Sequence, residues 1–223
     1  LRTGCRVAVI DMPSSIAQSP PPDEAVSLPA DATSADQVGA AFAALDRDWG
    51  GLDGFVNLAG FMRHRGPLKD MPIEKLDEVF LGNTRTHLLS ARAAIPLLMK
   101  GKDAAMVTVA STLGVDVHPG YIAYASAKAA LIAMTKGLAR ECAPAIRVNA
   151  LAPGITRTPF LVAGTGRPAR PDPFDIEAFV ERVPMRRVAE PDDMAGPILF
   201  LLGRASSFVT GETLIADGGV YQQ

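Results

Sequence analysis

The sequence Tyr124-Ala-Ser-Ala-Lys128 places a phenol and an ammonium four residues apart, inside a run, 121–143, whose pattern predicts one long helix. Residues at i and i+4 lie on the same helix face, so these two side chains can approach each other. A positive charge about 4 Å away, at an effective dielectric of about 20, lowers the pKa of a phenol by roughly three units, to near 7. We therefore interpret the two residues as an acid–base pair, although the same spacing alone is also typical of a solvated helix face.

Polar residues that follow predicted strands support this interpretation. Ser111 comes directly after the apolar run 105–110, and Asn57-Leu-Ala-Gly60 closes a strand predicted at 54–57. Because ligands bind at the carboxyl ends of parallel strands, we expect Ser111 and Tyr124 to converge on one carbonyl group. Asn83, within a helix predicted over 73–99, is a further candidate.

Several short motifs follow one another along the chain. In order they are Asp11, Asp31-Ala32, Asn57-Leu-Ala-Gly60, Asn83, Ser111, Tyr124 with Lys128, Asn149 to Thr156, and Asp217-Gly-Gly219. With this set the sequence resembles the short-chain dehydrogenase/reductase family, in its compact form, from residue 1 to residue 219. The resemblance implies an α/β fold with a Rossmann-like, doubly wound parallel sheet. It also implies a single NAD(P)-binding domain over 1–223, with 158–187 as a substrate lid.

The resemblance assigns the chemistry to four residues. It implies hydride transfer between a nicotinamide and a secondary alcohol or its ketone. Ser111 would hydrogen-bond the substrate oxygen, and Tyr124 would exchange its proton. Lys128 would lower the pKa of the phenol and hold the ribose, while Asn83 would hold a water that connects Lys128 to solvent.

The expected cofactor is NAD, with NADP favoured less. A carboxylate at the end of the strand that closes with Asp11 can bind both adenosine ribose hydroxyls and repels a 2′-phosphate. A plain strand-terminating Asp is the alternative, and a basic residue in a glycine-rich loop would reverse the preference. The cofactor-binding residues that the resemblance implies are Asp11, Asp31, Ala32, Asn57, Ala59, Gly60, Tyr124, Lys128, Pro153, Gly154, Ile155 and Thr156. For Asp31 the alternative is simple capping of the helix that follows, and Leu58, where the family usually has Asn, is expected to face the core.

The beginning of the sequence departs from the family pattern. Leu1-Arg-Thr-Gly4 is interpreted as a helix end, and the strand predicted at 5–11 corresponds to the family's second strand. The first strand and its glycine-rich loop, roughly 30 residues, do not precede it. Since that strand lies between the second and the fourth, we expect two half-sheets with unpaired edges. We therefore expect the 223 residues to be part of a longer natural chain, which an intact mass of 23.4 kDa for folded protein would contradict.

Composition narrows the function classes. The chain is 48% hydrophobic with a formal net charge of −2, which is typical of a globular protein and gives no basic stripe for nucleic acid. No apolar stretch is long enough to predict a membrane span or a signal peptide. Cys5 and Cys142 fit reduced thiols and a cytoplasmic location. His64, His87 and His118 share no metal-ligand spacing and are interpreted as surface or pocket histidines, so no metal is expected.

Two other segments are interpreted as surface features. Residues 14–29, with four prolines, are predicted to form an irregular loop, and 61–65 a solvated basic loop near the pocket mouth. In the lid, Arg167 and Arg170 would attract an anionic substrate, but a solvated lid is favoured over that role.

Two alternatives to this function remain open. An NADPH-dependent 3-oxoacyl carrier-protein reductase has the same Ser, Tyr and Lys spacing, and Asp11 argues against it. A non-catalytic dinucleotide-binding protein is the other, because fold alone does not establish activity. The resemblance further implies a homotetramer or homodimer formed through the long helices and the last helix and strand.

Overall fold

The computed structural model describes residues 4–162, 164 and 174–221. Strands and helices alternate along the chain. The strands are β1 (Ala8–Asp11), β2 (Val26–Pro29), β3 (Gly54–Asn57), β4 (Ala105–Val109), β5 (Arg147–Pro153) and β6 (Thr213–Ala216). The α-helices are α1 (Pro13–Gln18), α2 (Ala35–Trp49), α3 (Ile73–Phe80), α4 (Thr86–Leu98), α5 (Ile122–Cys142), α6 (Ile176–Val180) and α7 (Pro191–Leu202).

The strands form two separate parallel sheets. β1 pairs with β2, and the second sheet has the order β3-β4-β5-β6. All pairings are parallel, with Phe55 opposite Met106 and Met106 opposite Val148. The predicted division into two half-sheets is confirmed, as is the Rossmann-like α/β fold class. Among the residues that the structure describes, no strand pairs with both β1 and β3 to join the two sheets.

Successive residues of a strand face opposite sides, so the central strands contribute to two cores. Met106 packs with residues of α2, α4 and α5 on one side of the sheet. Val107 packs with Leu201 of α7 on the other side. Ile10 and Leu28 of the small sheet pack against the first of these cores. Burial of a shared apolar cluster therefore holds the two sheets together although they exchange no backbone hydrogen bonds.

The region predicted as one helix over 73–99 is interrupted. Between α3 and α4 lies a π-helical turn, Leu81–Arg85, which contains Asn83. The chain lies against Phe61 here, since a Cβ on Gly82 would come 2.0 Å from a carbon of the Phe61 ring. Turns of this kind insert an extra residue into an α-helix and often occur at functional sites.

The prediction of an irregular loop over 14–29 is wrong at both ends of that range. Pro13 is the first residue of α1, where its missing N–H would have no helical partner in any case. Ser19 ends the helix, and β2 begins at Val26. The strand predicted from Cys5 starts only at Ala8.

Helix α2, which follows Asp31 in the sequence, is capped at both ends. The Ser34 hydroxyl accepts a hydrogen bond from the backbone N–H of Gln37, and Gly50 ends the helix with φ +74°. The helix predicted over 121–143 is also confirmed. In the part of the chain that the structure describes, no helix has both the length and the apolar character needed to cross a bilayer.

Candidate active site

Ser111 and Tyr124 meet at the carboxyl end of β4. Ser111 follows the strand and caps a short 3-10 turn, Thr112–Gly114, its hydroxyl accepting from the N–H of Leu113 at 3.2 Å. The hydroxyl of Ser111 lies close enough to the phenol of Tyr124, on α5, to lower the pKa of that phenol. The two predicted hydroxyls are therefore neighbours, and their convergence on a substrate carbonyl stays a prediction.

Tyr124 is almost fully enclosed. Its side chain is 6% exposed and packs with Phe61, Met62 and Val79. The ring of Phe160 lies 6.1 Å from the Tyr124 ring, centroid to centroid, at an interplanar angle of 54°. Burial raises the pKa of the phenol well above its ordinary value, and the nearby Ser111 hydroxyl opposes this only in part. The predicted pKa near 7 is wrong for this arrangement of the chain.

Lys128 lies close to both the end of β4 and the Tyr124 ring. Its ammonium donates to the carbonyl oxygen of Val109 at 3.0 Å and lies 5.7 Å from the centroid of the Tyr124 ring. Burial lowers the pKa of Lys128 itself to about 8. The observed hydrogen bond of the ammonium is thus to the end of β4.

Asn83 and Gly60 lie next to this ammonium. A Cβ on Gly60 would come 3.4 Å from the nitrogen of Lys128 and 2.5 Å from the Oδ1 of Asn83. The Asn83 side chain is buried and donates to the carbonyl oxygens of Phe61 at 3.0 Å and Val79 at 2.9 Å. Its Oδ1 accepts from the N–H of Phe61 at 3.3 Å. These bonds anchor the segment after β3, and the role of Asn83 in a water relay stays a prediction.

The start of the same segment is held by Asn57 and His87. The Oδ1 of Asn57 accepts from the N–H of Ala59 at 2.9 Å, and its Nδ2 lies 3.0 Å from the Nδ1 of His87. The Nε2 of His87 lies 3.4 Å from the hydroxyl of Thr108. His87 is 1% exposed, and burial, together with the charge of Lys128, lowers its pKa to about 4.

The environment of His87 differs most from the one that the sequence predicted. The interpretation of a surface or pocket histidine is wrong, because the ring lies in the core between α4, β3 and β4 and is neutral near pH 7. Its spacing of four residues from Asn83 on a predominantly apolar helix was the available signal.

The expectation that Leu58 faces the core is also wrong. Its side chain is 68% exposed. Asn57, the last residue of β3, points inward to His87, and Leu58 therefore lies beyond the strand end on the other side.

The two predicted adenosine-binding carboxylates lie at strand ends as expected. Asp11 is exposed at the end of β1, with its Oδ1 accepting from the N–H of Met12 at 2.7 Å. Asp31 accepts from both the N–H and the hydroxyl of Thr33 at 2.8 Å. Asp31 thus forms a turn just before α2, whose N-cap is Ser34 and not Asp31, while adenine binding by Asp31 and Ala32 stays a prediction.

The turn after β5 carries the remaining predicted cofactor residues, Pro153 to Thr156. The N–H of Gly154 donates to Ala216 at 3.0 Å, and a Cβ on Gly154 would come 2.8 Å from the Cα of Asp217. The Ile155 carbonyl accepts from the N–H of Ala189 at 3.0 Å. The hydroxyl of Thr156 is buried and has no hydrogen-bond partner among the described residues. Such a group is normally satisfied, so this unpaired hydroxyl fits a turn that receives a polar cofactor.

The lid and the basic loop differ in how much the structure describes. In the predicted lid, Pro159–Val162 forms a short turn, and Asp175 caps α6. Arg167 and Arg170 lie outside the described residues. Between Phe61 and Gly66 the loop is anchored and not simply solvated: His64 lies 2.9 Å from Glu78, and Arg65 donates to the hydroxyl of Tyr121 at 2.9 Å.

No metal centre accompanies these residues in the described ranges. Within 4–162, 164 and 174–221, no group of three His, Cys, Asp or Glu side chains is arranged to hold a metal ion.

Several known proteins are similar to this chain in sequence and fold. The family model described as enoyl-(acyl carrier protein) reductase matches residues 1–221. A 4-formylbenzenesulfonate dehydrogenase of Comamonas testosteroni is 38% identical over 171 residues, which cover 76% of this chain and 67% of that protein. A 3-oxoacyl-(acyl-carrier-protein) reductase of Thermotoga maritima is 34% identical over 189 residues, covering 84% of this chain and 74% of that protein. The ligand-free structure of an aldohexose dehydrogenase from Thermoplasma acidophilum has a TM-score of 0.86 at 27% identity, covering 98% of this chain and 85% of that one.

The matched region spans between 60% and 67% of the length of several curated relatives. Within that region the order of motifs and the parallel α/β topology agree with the family match over 1–221. On these grounds the chain belongs to the short-chain dehydrogenase/reductase family of oxidoreductases.

Proposed function

We propose that this protein transfers a hydride between NAD(H) and a secondary alcohol or its ketone. The observation that carries the proposal is the proximity of the Ser111 hydroxyl to the phenol of Tyr124, inside a buried site that also contains the ammonium of Lys128. Two hydroxyls aimed at one point, next to a cation, suit a carbonyl oxygen that gains or loses a proton.

Each residue has one task in this proposal. Ser111, whose oxygen is oriented by the N–H of Leu113, donates its hydrogen to the substrate oxygen. Tyr124 gives its proton to that oxygen during reduction and removes it during oxidation. Lys128 supplies positive charge that favours the phenolate whenever its ammonium turns from Val109 toward the phenol. The bound nicotinamide supplies or accepts the hydride.

The raised pKa of Tyr124 favours one direction at neutral pH. A buried phenol keeps its proton and can act directly as the acid in ketone reduction. Oxidation needs the phenolate, so its rate should rise with pH until Tyr124 is ionised.

The residues available to hold the dinucleotide are those of the strand ends. Asp11 would bind the adenosine ribose, the backbone at Ala59 and Gly60 would approach the second ribose, and Thr156 would reach the nicotinamide end. The exposed carboxylate of Asp11 supports NAD over NADP, since a 2′-phosphate would be repelled there. Calorimetric titration of the full chain should therefore detect NADH binding and much weaker NADPH binding, with Asp11→Asn reducing the difference. Equal binding of the two would overturn the NAD assignment.

The catalytic assignment is tested with two tyrosines of the same helix. Tyr124→Phe should remove nearly all turnover of secondary alcohols while leaving the fold intact. Tyr121→Phe, three residues earlier, deletes the hydroxyl that accepts from Arg65 and serves as the control. Retention of more than a tenth of the wild-type rate in Tyr124→Phe would contradict the proposal.

A second candidate is reduction of a 3-oxoacyl thioester with NADPH. The 34% identity to the 3-oxoacyl-(acyl-carrier-protein) reductase of Thermotoga maritima favours it. Side-by-side turnover of a short 3-oxoacyl thioester and a simple ketone, each with NADH and NADPH, separates the two functions.

We also propose a cytoplasmic homotetramer or homodimer. Leu199 and Phe200 on α7 are substantially exposed and Phe208 fully so, which supports an interface on this side of the sheet. Cys142 is a free thiol, as expected in a reducing compartment. Light scattering of the purified chain would test the assembly.

A further inference from the structure

We propose that His87 is a positioning residue that fixes the amide of Asn57, and through it the backbone of 57–60 on which the cofactor would bind. This inference rests on the proposed function for the identity of the cofactor, whereas the hydrogen bonds of His87 do not depend on it.

Both ring nitrogens of His87 have a polar partner in the core. Nδ1 lies 3.0 Å from the amide nitrogen of Asn57, and Nε2 lies 3.4 Å from the hydroxyl of Thr108. All three side chains are buried. The ring thus connects α4 with the strands β3 and β4, close to the point where each strand ends.

The hydrogen-bonding roles follow from the amide of Asn57. Its Oδ1 is committed to the N–H of Ala59 at 2.9 Å, so its Nδ2 is the group that faces His87. An amide NH2 only donates, which requires Nδ1 of the ring to accept and places the ring proton on Nε2. A protonated ring would point a second donor at the amide. Asn57 therefore holds His87 in its neutral, Nε2-protonated form.

The same bond restrains the loop. With Nδ2 held by His87, the Asn57 side chain cannot turn its oxygen away from Ala59. At the other end of the segment, Asn83 is bonded to both the N–H and the carbonyl of Phe61. Gly60, with φ +155°, lies between these two anchors and faces Asn83 and Lys128. His87 and Asn83, four residues apart on one helical stretch, thus fasten the two ends of the proposed ribose-binding backbone.

The first experiment compares NADH binding by calorimetry in four proteins: wild type, His87→Leu, Asn57→Ala and the double variant. We expect His87→Leu to weaken binding about tenfold, since it leaves a buried amide donor unpaired. The KM for NADH should rise by a similar factor, with kcat falling less. Asn57→Ala should weaken binding to the same extent, and the double variant should lose no more than either single variant.

The control is Thr135→Val, which removes a buried hydroxyl bonded to Leu131 and lies outside the site. It should lower stability in urea yet leave NADH affinity unchanged. Wild-type affinity in His87→Leu, or fully additive losses in the double variant, would overturn the proposal.

A second measurement does not depend on a folded variant or on the cofactor. In wild-type protein with nitrogen-15-labelled histidine at pH 7, one of the three imidazoles should show an unprotonated Nδ1 and a protonated Nε2 with no exchange averaging. Absence of such a ring would contradict the proposal that Nδ1 of His87 accepts from Asn57. If the wild type bound neither NADH nor NADPH, the proposed function would fail, and these ring signals would still decide whether Asn57 holds His87.

Discussion

The ammonium of Lys128 donates to the carbonyl oxygen of Val109 at 3.0 Å while it lies 5.7 Å from the ring centroid of Tyr124. Lys128 thereby stabilises the end of β4, and the phenol keeps its proton. The two residues share a helix face, as their spacing requires, and the lysine nitrogen is bonded to the backbone at the end of β4. Burial is the main cause of the raised pKa of Tyr124.

The phenol of Tyr124 should resist ionisation in the free protein. Because burial raises its pKa, we expect its phenolate to appear only above the ordinary value of about 10. The measurement is an ultraviolet titration of wild type minus Tyr124→Phe, with circular dichroism to verify that both stay folded. A difference spectrum with a midpoint near 7 would show that Lys128 controls the phenol even without cofactor.

Lys128 should make the protein more stable as the pH rises. Its pKa is about 8 in the folded chain and 10.5 in the unfolded reference, so between these values the unfolded chain binds more protons. The free energy of unfolding then increases with pH through this window, by at most about 3 kcal/mol.

Lys128→Met tests this linkage. The variant should be more stable than wild type at pH 7, because no charge is buried, and it should lack the rise between pH 8 and 10 in urea unfolding. A parallel pH dependence in the two proteins would show that another group is responsible.

Phe160 should control which carbonyl compounds reach Tyr124. Its ring lies 6.1 Å from the Tyr124 ring, centroid to centroid, so an aromatic substituent of the substrate can pack against Phe160, whereas a small aliphatic ketone cannot. We expect Phe160→Ala to lower kcat/KM for aryl ketones several-fold relative to small aliphatic ones. Val162→Ala, on the same turn but 54% exposed, is the matched control. Equal effects of both variants on both substrate classes would exclude this role for Phe160.

Arg147 should be important for stability and not for the site. Its guanidinium donates to the carbonyl oxygens of Leu201 at 2.9 Å, Leu202 at 3.0 Å and Gly203 at 3.2 Å, and so caps α7. Arg147→Ala removes these three bonds, although Ser206 still donates to Leu201 and Gly203, and should lower the free energy of unfolding by about 3 kcal/mol. The measurement is urea denaturation at neutral pH.

Arg204→Ala is the control for Arg147→Ala. It removes an exposed ion pair with Asp103, which should contribute about 1 kcal/mol or less. Comparable losses in the two arginine variants would mean that the cap on α7 contributes little.

The elements predicted best are those whose signals are local. The caps Ser34 and Gly50 fix α2 through their own chemistry, and the parallel α/β fold followed from the family resemblance that the ordered motifs carry. The meeting of Ser111 with Tyr124 followed from a topological rule, that strand ends of a parallel sheet share one edge.

What the sequence could not reveal depends on contacts between distant segments. The π-turn is associated with close packing of Gly82 on the Phe61 ring, a contact that no local pattern encodes. The exposure of Leu58 and the burial of His87 follow from which side of β3 faces α4. The pKa of Tyr124 depends on burial, to which Phe160 and distant segments contribute, and spacing along a helix does not determine that burial.

The π-turn between α3 and α4 also sets the angular phase of the helix that follows it. Val79, before the turn, packs with Tyr124, whereas Ala94 and Leu98, beyond it, pack with Met106. In an α-helix, adding or removing one residue rotates everything beyond it by about 100°. Deletion of one residue from this turn would thus swing the apolar stripe of α4 off the sheet and carry His87 away from its partners. The length of this turn, to a single residue, therefore sets the orientation of α4 relative to α3 that both hydrophobic clusters require.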